Sequence, residues 1–253
     1  KLGHTERYIN WLSQLKPAKE IIKIDQDTFM SPKTLESAKI GVGCLVDAID
    51  NVLEKKYRNA FCLLRPPGHH AEREKAMGFC FFSTIGIGAK YLKKIKQLYK
   101  IAIVDFDVHH GNGTQDVLWN DPDCLFISIH QDEIFPFTGS KNETGIKNNI
   151  LNIPVNAGSN SNEFRSIVDN IIIPRLIKFE PEFLLISAGF DGHQDDQISQ
   201  TQWAESDFIY ITKKLKSVAN QFCEDRIVSC LEGGYHLEKL STCCVSHIKT
   251  LME

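Results

Sequence analysis

Five short runs in this chain (Ala60–Leu64, Ile101–Phe106, Leu125–His130, Phe183–Ala188 and Ile227–Leu231) are apolar on both faces rather than at alternate positions. A strand of that kind must be covered on both sides, which is the situation in a parallel sheet flanked by helices. Between the runs lie stretches with helical spacing of apolar residues: His4–Leu15, Ser31–Lys55, Phe79–Lys96, Asn162–Lys178, Trp203–Phe222 and Leu237–Leu251. Shorter strands are expected at Ile21–Ile24 and Leu151–Val155, and Pro174 predicts a bend inside its helix. The expected class is α/β, one three-layer domain over residues 1–253 with a parallel sheet between helices. At 253 residues, 42% of them hydrophobic, the chain is long enough to close one large core, and no linker or repeat divides it.

In sheets of this kind ligands sit at the carboxyl edge of the strands. Four turns that follow expected strands, at 65–70, 107–113, 189–196 and 232–235, carry unusual chemistry. The densest stretch is Asp105-Phe-Asp-Val-His-His-Gly-Asn-Gly-Thr114. Strand alternation puts Asp105, Asp107 and His109 on one face and Val104, Phe106 and Val108 on the other. Buried carboxylates without a partner are costly, so the pattern points to a metal. Asp107 and His109 are the first two candidate ligands, and the third is expected from among Asp191, His193, Asp195 and Asp196. Three protein ligands describe a catalytic zinc site with an open position, although mixed Asp/His donors leave Mn²⁺ and Fe²⁺ open.

The other turns supply what a metal hydrolase needs. His69-His70, on a stiff Pro-Pro-Gly approach, suits proton transfer, with Asp105 and Asn112 available to orient the two rings. Tyr235, after Gly233-Gly234, offers a phenol to a developing oxyanion. Phe79 and Phe135 are placed to wall a channel. A formal net charge of −3 gives no support for a nucleic-acid or membrane surface. Eight cysteines without a Cys-x-x-Cys read as reduced thiols, and no run of about 18 apolar residues occurs. A soluble, cytoplasmic protein is the expectation. Gly-x-Ser-x-Gly, His-Glu-x-x-His and the phosphate-binding glycine motifs are absent. The chain opens inside what reads as helical sequence, so a preceding segment is expected.

Taken together, Arg65-Pro-Pro-Gly-His-His-Ala71, Met77-Gly-Phe-Cys80, Asp105 to Gln115, Ser187-Ala-Gly-Phe-Asp191 and Leu231-Glu-Gly-Gly-Tyr235 resemble the zinc-dependent histone deacetylases. The likeness is to class II enzymes and their bacterial relatives, including acetylpolyamine amidohydrolases, and it runs from about residue 27 to the C-terminus. It implies the arginase/deacetylase fold with a parallel sheet of about eight strands. It implies zinc held by Asp107, His109 and Asp196, and potassium near Asp105, Asp107, His109 and Ser128. His70 would be the principal base and acid with His69 as helper, Asp105 pairing with His69 and Asn112 with His70. Tyr235 would polarise the amide carbonyl. Gly78, Phe79 and Phe135 would contact the acetyl-lysine chain, and Asp27 would match a rim carboxylate that grips substrate backbone. The implied partner is an acetylated lysine peptide or an acetylated polyamine.

The chain departs from the family pattern in places. Trp203 stands where many relatives carry Leu or Met on the pocket wall. Ile134-Phe-Pro-Phe-Thr-Gly139 lacks the usual Pro-Gly-Thr-Gly order, and Asp196-Gln-Ile-Ser replaces Asp-Pro-Leu-Gly. Gly3-His-Thr-Glu-Arg7 is a reduced form of the N-terminal motif, so the first strand is expected to lie outside this chain. Two competing readings are an arginase-like binuclear manganese ureohydrolase and a catalytically silent acetyl-lysine-binding protein.

Overall fold

In the computed structural model, which describes residues 1–253, the chain begins with α1 (Glu6–Gln14), a two-residue ribbon of β1 (Ile22–Lys23) and β2 (Phe29–Met30), and the long α2 (Thr34–Leu53). Then follow β3 (Asn59–Cys62), α3 (Thr84–Lys94), β4 (Ile101–Asp105), α4 (Asn112–Leu118), β5 (Cys124–Gln131) and β6 (Ile150–Val155). The last third holds α5 (Ser161–Ile167), α6 (Ile173–Phe179), β7 (Phe183–Ala188), α7 (Glu205–Phe222), β8 (Ile227–Leu231) and α8 (Leu237–Met252). Six strands form one sheet in the order β3-β8-β7-β4-β5-β6, every pair parallel. The sheet is smaller than the expected eight strands. The Ile22–Lys23 run pairs only with Phe29–Met30, antiparallel and apart from the main sheet.

Strand alternation divides the core in two. Ala102, Val104 and Phe106 point with Leu125, Ile127, Leu184 and Ile186 toward α5–α8, while Ile101 and Ile103 point with Phe126 and Leu185 toward α2, α3 and α4. All of these strand residues are buried, which is why the strands carry no polar face. Pro174 has no N–H to give the carbonyl of Asn170, and the helix re-registers there. A π-helical turn, Val168–Ile172, precedes α6, whose first turn holds the proline. No helix is long and apolar enough to cross a membrane.

The chain winds outward from β4 to β6 on one side, then returns beyond β4 to add β7 and β8 on the other. The reversal creates a crevice at the carboxyl end of β4, the usual ligand position in an open α/β sheet. Two helices start later than their apolar spacing suggested. The Phe79–Lys96 helix begins only at Thr84, because Gly78 and Phe79 both take positive φ in a tight turn. The Trp203–Phe222 helix begins at Glu205, with Trp203 bridging to His193 instead. Helix α4 had no sequence signal, since it begins in Asn-Gly-Thr. It stands because His69 O accepts the N–H groups of Gly113 (2.9 Å) and Thr114 (3.1 Å), which joins the His69-His70 turn to the end of β4.

Candidate active site

The carboxyl end of β4 delivers Asp105, Asp107 and His109 to one face, opposite Val104, Phe106 and Val108, which enter the core. From the neighbouring β7 comes Asp191. Its Oδ1 accepts the Val108 N–H at 2.9 Å, and its Oδ2 lies 3.0 Å from His109 Nδ1. Asp107 Oδ1 is 3.1 Å from the same nitrogen, so one donor atom from each of Asp107, His109 and Asp191 falls within 4.8 Å of the others, all buried. Burial drives the Asp191 carboxyl up to about 6, with Asp107 adding to the rise. Asp107 stays well below the usual carboxylate range: His69, His109 and hydrogen bonds outweigh its burial. Two carboxylates and an imidazole converging this closely suit a small divalent cation, and the mixture of two oxygens and one nitrogen fits zinc.

Asp196 does not join this group. It faces the next loop, where its Oδ2 accepts the N–H groups of Tyr235 (2.6 Å) and His236 (3.0 Å) and its Oδ1 that of Ile198 (3.2 Å). The compact metal-capable group thus contains Asp191 in place of the expected Asp196, while Asp196 is bonded to the turn that presents Tyr235. Asp191 lies three residues beyond the end of β7, which pairs with β4, and five more residues carry Asp196 to the turn after β8.

The two histidines are held differently. His69 Nδ1 lies 3.0 Å from Asp105 Oδ2, and although burial opposes its charge, Asp107, Asp105 and Glu232 raise its pKa well above the ordinary value. His70 Nδ1 lies 2.8 Å from Asn112 Oδ1. Burial, then the neighbouring His69 and His109, keep the His70 ring neutral, its pKa well below the ordinary value. The rings lie 3.9 Å apart centre to centre. Glu232 was not singled out among the site residues, although a carboxylate directly after an apolar strand was a signal. It is buried, with Oε2 accepting the N–H groups of Gly68 (2.7 Å) and His69 (3.1 Å) and Oε1 the Ser187 hydroxyl (3.2 Å). Burial pushes its carboxyl up to about 7.

Above the metal-capable group opens a cavity of about 220 Å³, lined by His70, His109, Gly78, Phe79, Ile134, Phe135, Ile198, Tyr235 and Asp27. The Phe135 ring stands edge-on to His70 at 5.0 Å, and Phe79 lies 6.2 Å from Tyr235. Burial and the nearby Asp191 and Asp107 keep the Tyr235 phenol protonated. At Gly78, φ is +55°, and a Cβ would sit 2.3 Å from the His70 ring, so the main chain can pass only as glycine. Asp27 reaches the rim, but its Oδ1 accepts the Gly78 N–H at 3.2 Å, a bond that supports the channel wall. Trp203, expected on the pocket wall, is fully buried in the core against Phe164 at 4.6 Å, and Ile198 occupies the wall instead. Ser128, expected near a potassium ion, is the register partner of Asp105, with its hydroxyl 2.9 Å from His130 Nδ1.

Residues 1–251 match the histone deacetylase domain. This chain belongs to the histone deacetylase family. Type-2 histone deacetylase 2 of Dictyostelium discoideum is 41% identical over 246 residues, spanning 90% of this deacetylase domain and 14% of that protein. A probable deacetylase of Archaeoglobus fulgidus is 36% identical over 238 residues, spanning 93% of this chain and 66% of that one. The crystal structure of the HDA15 HD domain shares the fold with a TM-score of 0.90 at 28% identity, across 98% of this chain and 73% of that chain. The deacetylase domain described here covers less than two thirds of the two relatives' own lengths.

Proposed function

We propose that this domain is a zinc-dependent amidohydrolase that removes acetyl groups from lysine side chains or from similar linear acetylated amines, acetylpolyamines included. The observation that carries the reading is the buried Asp107-His109-Asp191 group, whose His109 lines a narrow cavity together with His70 and Tyr235. These three residues would hold zinc, which would supply Lewis-acid chemistry toward water and the acyl oxygen. The chain's own groups do the rest. Phe79, Phe135 and Ile198 enclose a slender apolar chain and exclude water from it. With Nδ1 tied to Asn112, His70 keeps Nε2 for the proton, first removed from water and later returned to the leaving amine. His69, raised by its carboxylate neighbours, contributes positive charge beside it. The protonated Tyr235 hydroxyl donates to the oxyanion as the carbonyl carbon becomes tetrahedral. Potassium near Asp105 and Ser128 belongs to the same proposal as a structural cation.

Acetyl release from an acetyl-lysine peptide, measured before and after chelation and after zinc is restored, tests the reading. Full turnover by chelated protein would sink it. A panel of acetyl-lysine peptides, longer acyl-lysines and acetylated polyamines separates the substrate classes. The arginase-like alternative calls for two carboxylate-rich metal positions, and the group at the end of β4 contains two carboxylates and one imidazole.

A further inference from the structure

The amide of Asn112 carries more information than its contact with His70. Its Nδ2 faces three acceptors: Glu72 Oε1 at 2.8 Å, His70 O at 3.4 Å and Met77 Sδ at 3.4 Å. The carboxylate is the nearest, and it can only accept. With Nδ2 committed on that side, Oδ1 is the atom left for His70 Nδ1 at 2.8 Å. An amide oxygen has no hydrogen to give, so Nδ1 must carry one, and a neutral ring then keeps its lone pair on Nε2. Were the amide turned over, Nδ2 would meet His70 Nδ1, the hydrogen would move to Nε2, and the ring could not accept a proton there.

We propose that Glu72 is a positioning residue that locks the Asn112 amide in one orientation and thereby sets the tautomer of His70. Glu72 is well placed for this work. Its main chain pairs with Lys75 across a tight bridge, which anchors the side chain outside the cavity that the substrate would enter. The catalytic consequence of the tautomer rests on the deacetylase reading; the tautomer itself does not.

Glu72→Gln keeps the size of the side chain but can donate as well as accept, which makes both orientations of Asn112 available. The probe is histidine-¹⁵N-labelled protein, metal-free, followed by long-range ¹H–¹⁵N correlation with His70 assigned by its loss in His70→Ala. The parent protein shows the Nδ1–H tautomer, and Glu72→Gln shows a mixture with Nε2–H. In the same variant kcat falls about tenfold while KM moves by less than about twofold. Adding Asn112→Asp to Glu72→Gln restores an acceptor-only group against Nδ1, and the Nδ1–H tautomer returns. A role in folding alone would not produce that reversal. An Nε2–H ring in the parent protein, or a tautomer unmoved by Glu72→Gln, overturns the proposal. Parent protein without deacetylase activity but with this tautomer response would overturn the functional reading and leave the role of Glu72 standing.

Discussion

Two acidic segments meet at the site, and they differ in how they are built. The Asp105–Thr114 segment is the end of a strand, and its side chains alternate as strand geometry demands. The 189–203 segment leaves β7 as an irregular loop, and its acidic residues scatter: Asp191 to the metal-capable group, Asp196 to the Tyr235 turn, and Asp195 toward Lys239 at 3.4 Å. In a strand, a residue's number tells which face it takes. In a loop, it tells only how far the chain has run.

The sharpest way to break this comparison is to exchange the two carboxylates. Asp191→Ala is expected to abolish stoichiometric zinc and lower kcat/KM by about 10³-fold or more, since the metal's contribution goes with it. Asp196→Asn is expected to keep zinc, read by metal analysis of the purified protein, and to lose activity only about tenfold through a displaced Tyr235. Loss of zinc in the second variant and not in the first would reverse the assignment. Next in size, Tyr235→Phe is expected to lower kcat by about 10²-fold or more with little change in zinc, because it deletes one oxyanion donor.

Gly233 tests how closely the loops must approach. A Cβ there would sit 2.2 Å from Asp191 Oδ2 and 2.6 Å from Asp107 Oδ2, so Gly233→Ala is expected to weaken zinc retention about 10- to 100-fold in competition with a chelator. The smallest effect on catalysis belongs to Trp203. Trp203→Ala is expected to cost about 3–5 kcal/mol of stability, seen in denaturant unfolding, with KM nearly unchanged. A large change in KM with unaltered stability would return the indole to the pocket wall.

Much of the fold was readable because two-sided burial imposes a composition. Phe183–Ala188 and Ile227–Leu231 emerged with the expected bounds, since a central parallel strand admits few polar residues. The interval from Phe79 to Ser83 did not, because its apolar residues serve a turn shaped by positive φ at Gly78 and Phe79 rather than a helix. Helix α4 was invisible because its starting N–H groups are satisfied by His69 O, 43 residues before its first turn's Asn112 and beyond any local signal. Trp203 was misplaced for a related reason: alignment with a pocket-wall position says nothing about which side of the chain faces solvent.

The sequence by itself determined the class of sheet, the rim on which chemistry gathers, and the pairing of Asp107 with His109, because strand period and two-sided burial are local consequences of residue order. Tertiary structure alone decided that Asp191 lies in the metal-capable group, that Asp196 bonds the Tyr235 turn, that Glu232 holds the Gly68-His69 backbone and that Glu72 meets the Asn112 amide. Each of those depends on where a loop returns after many residues, and on which buried hydrogen-bond donors it finds there.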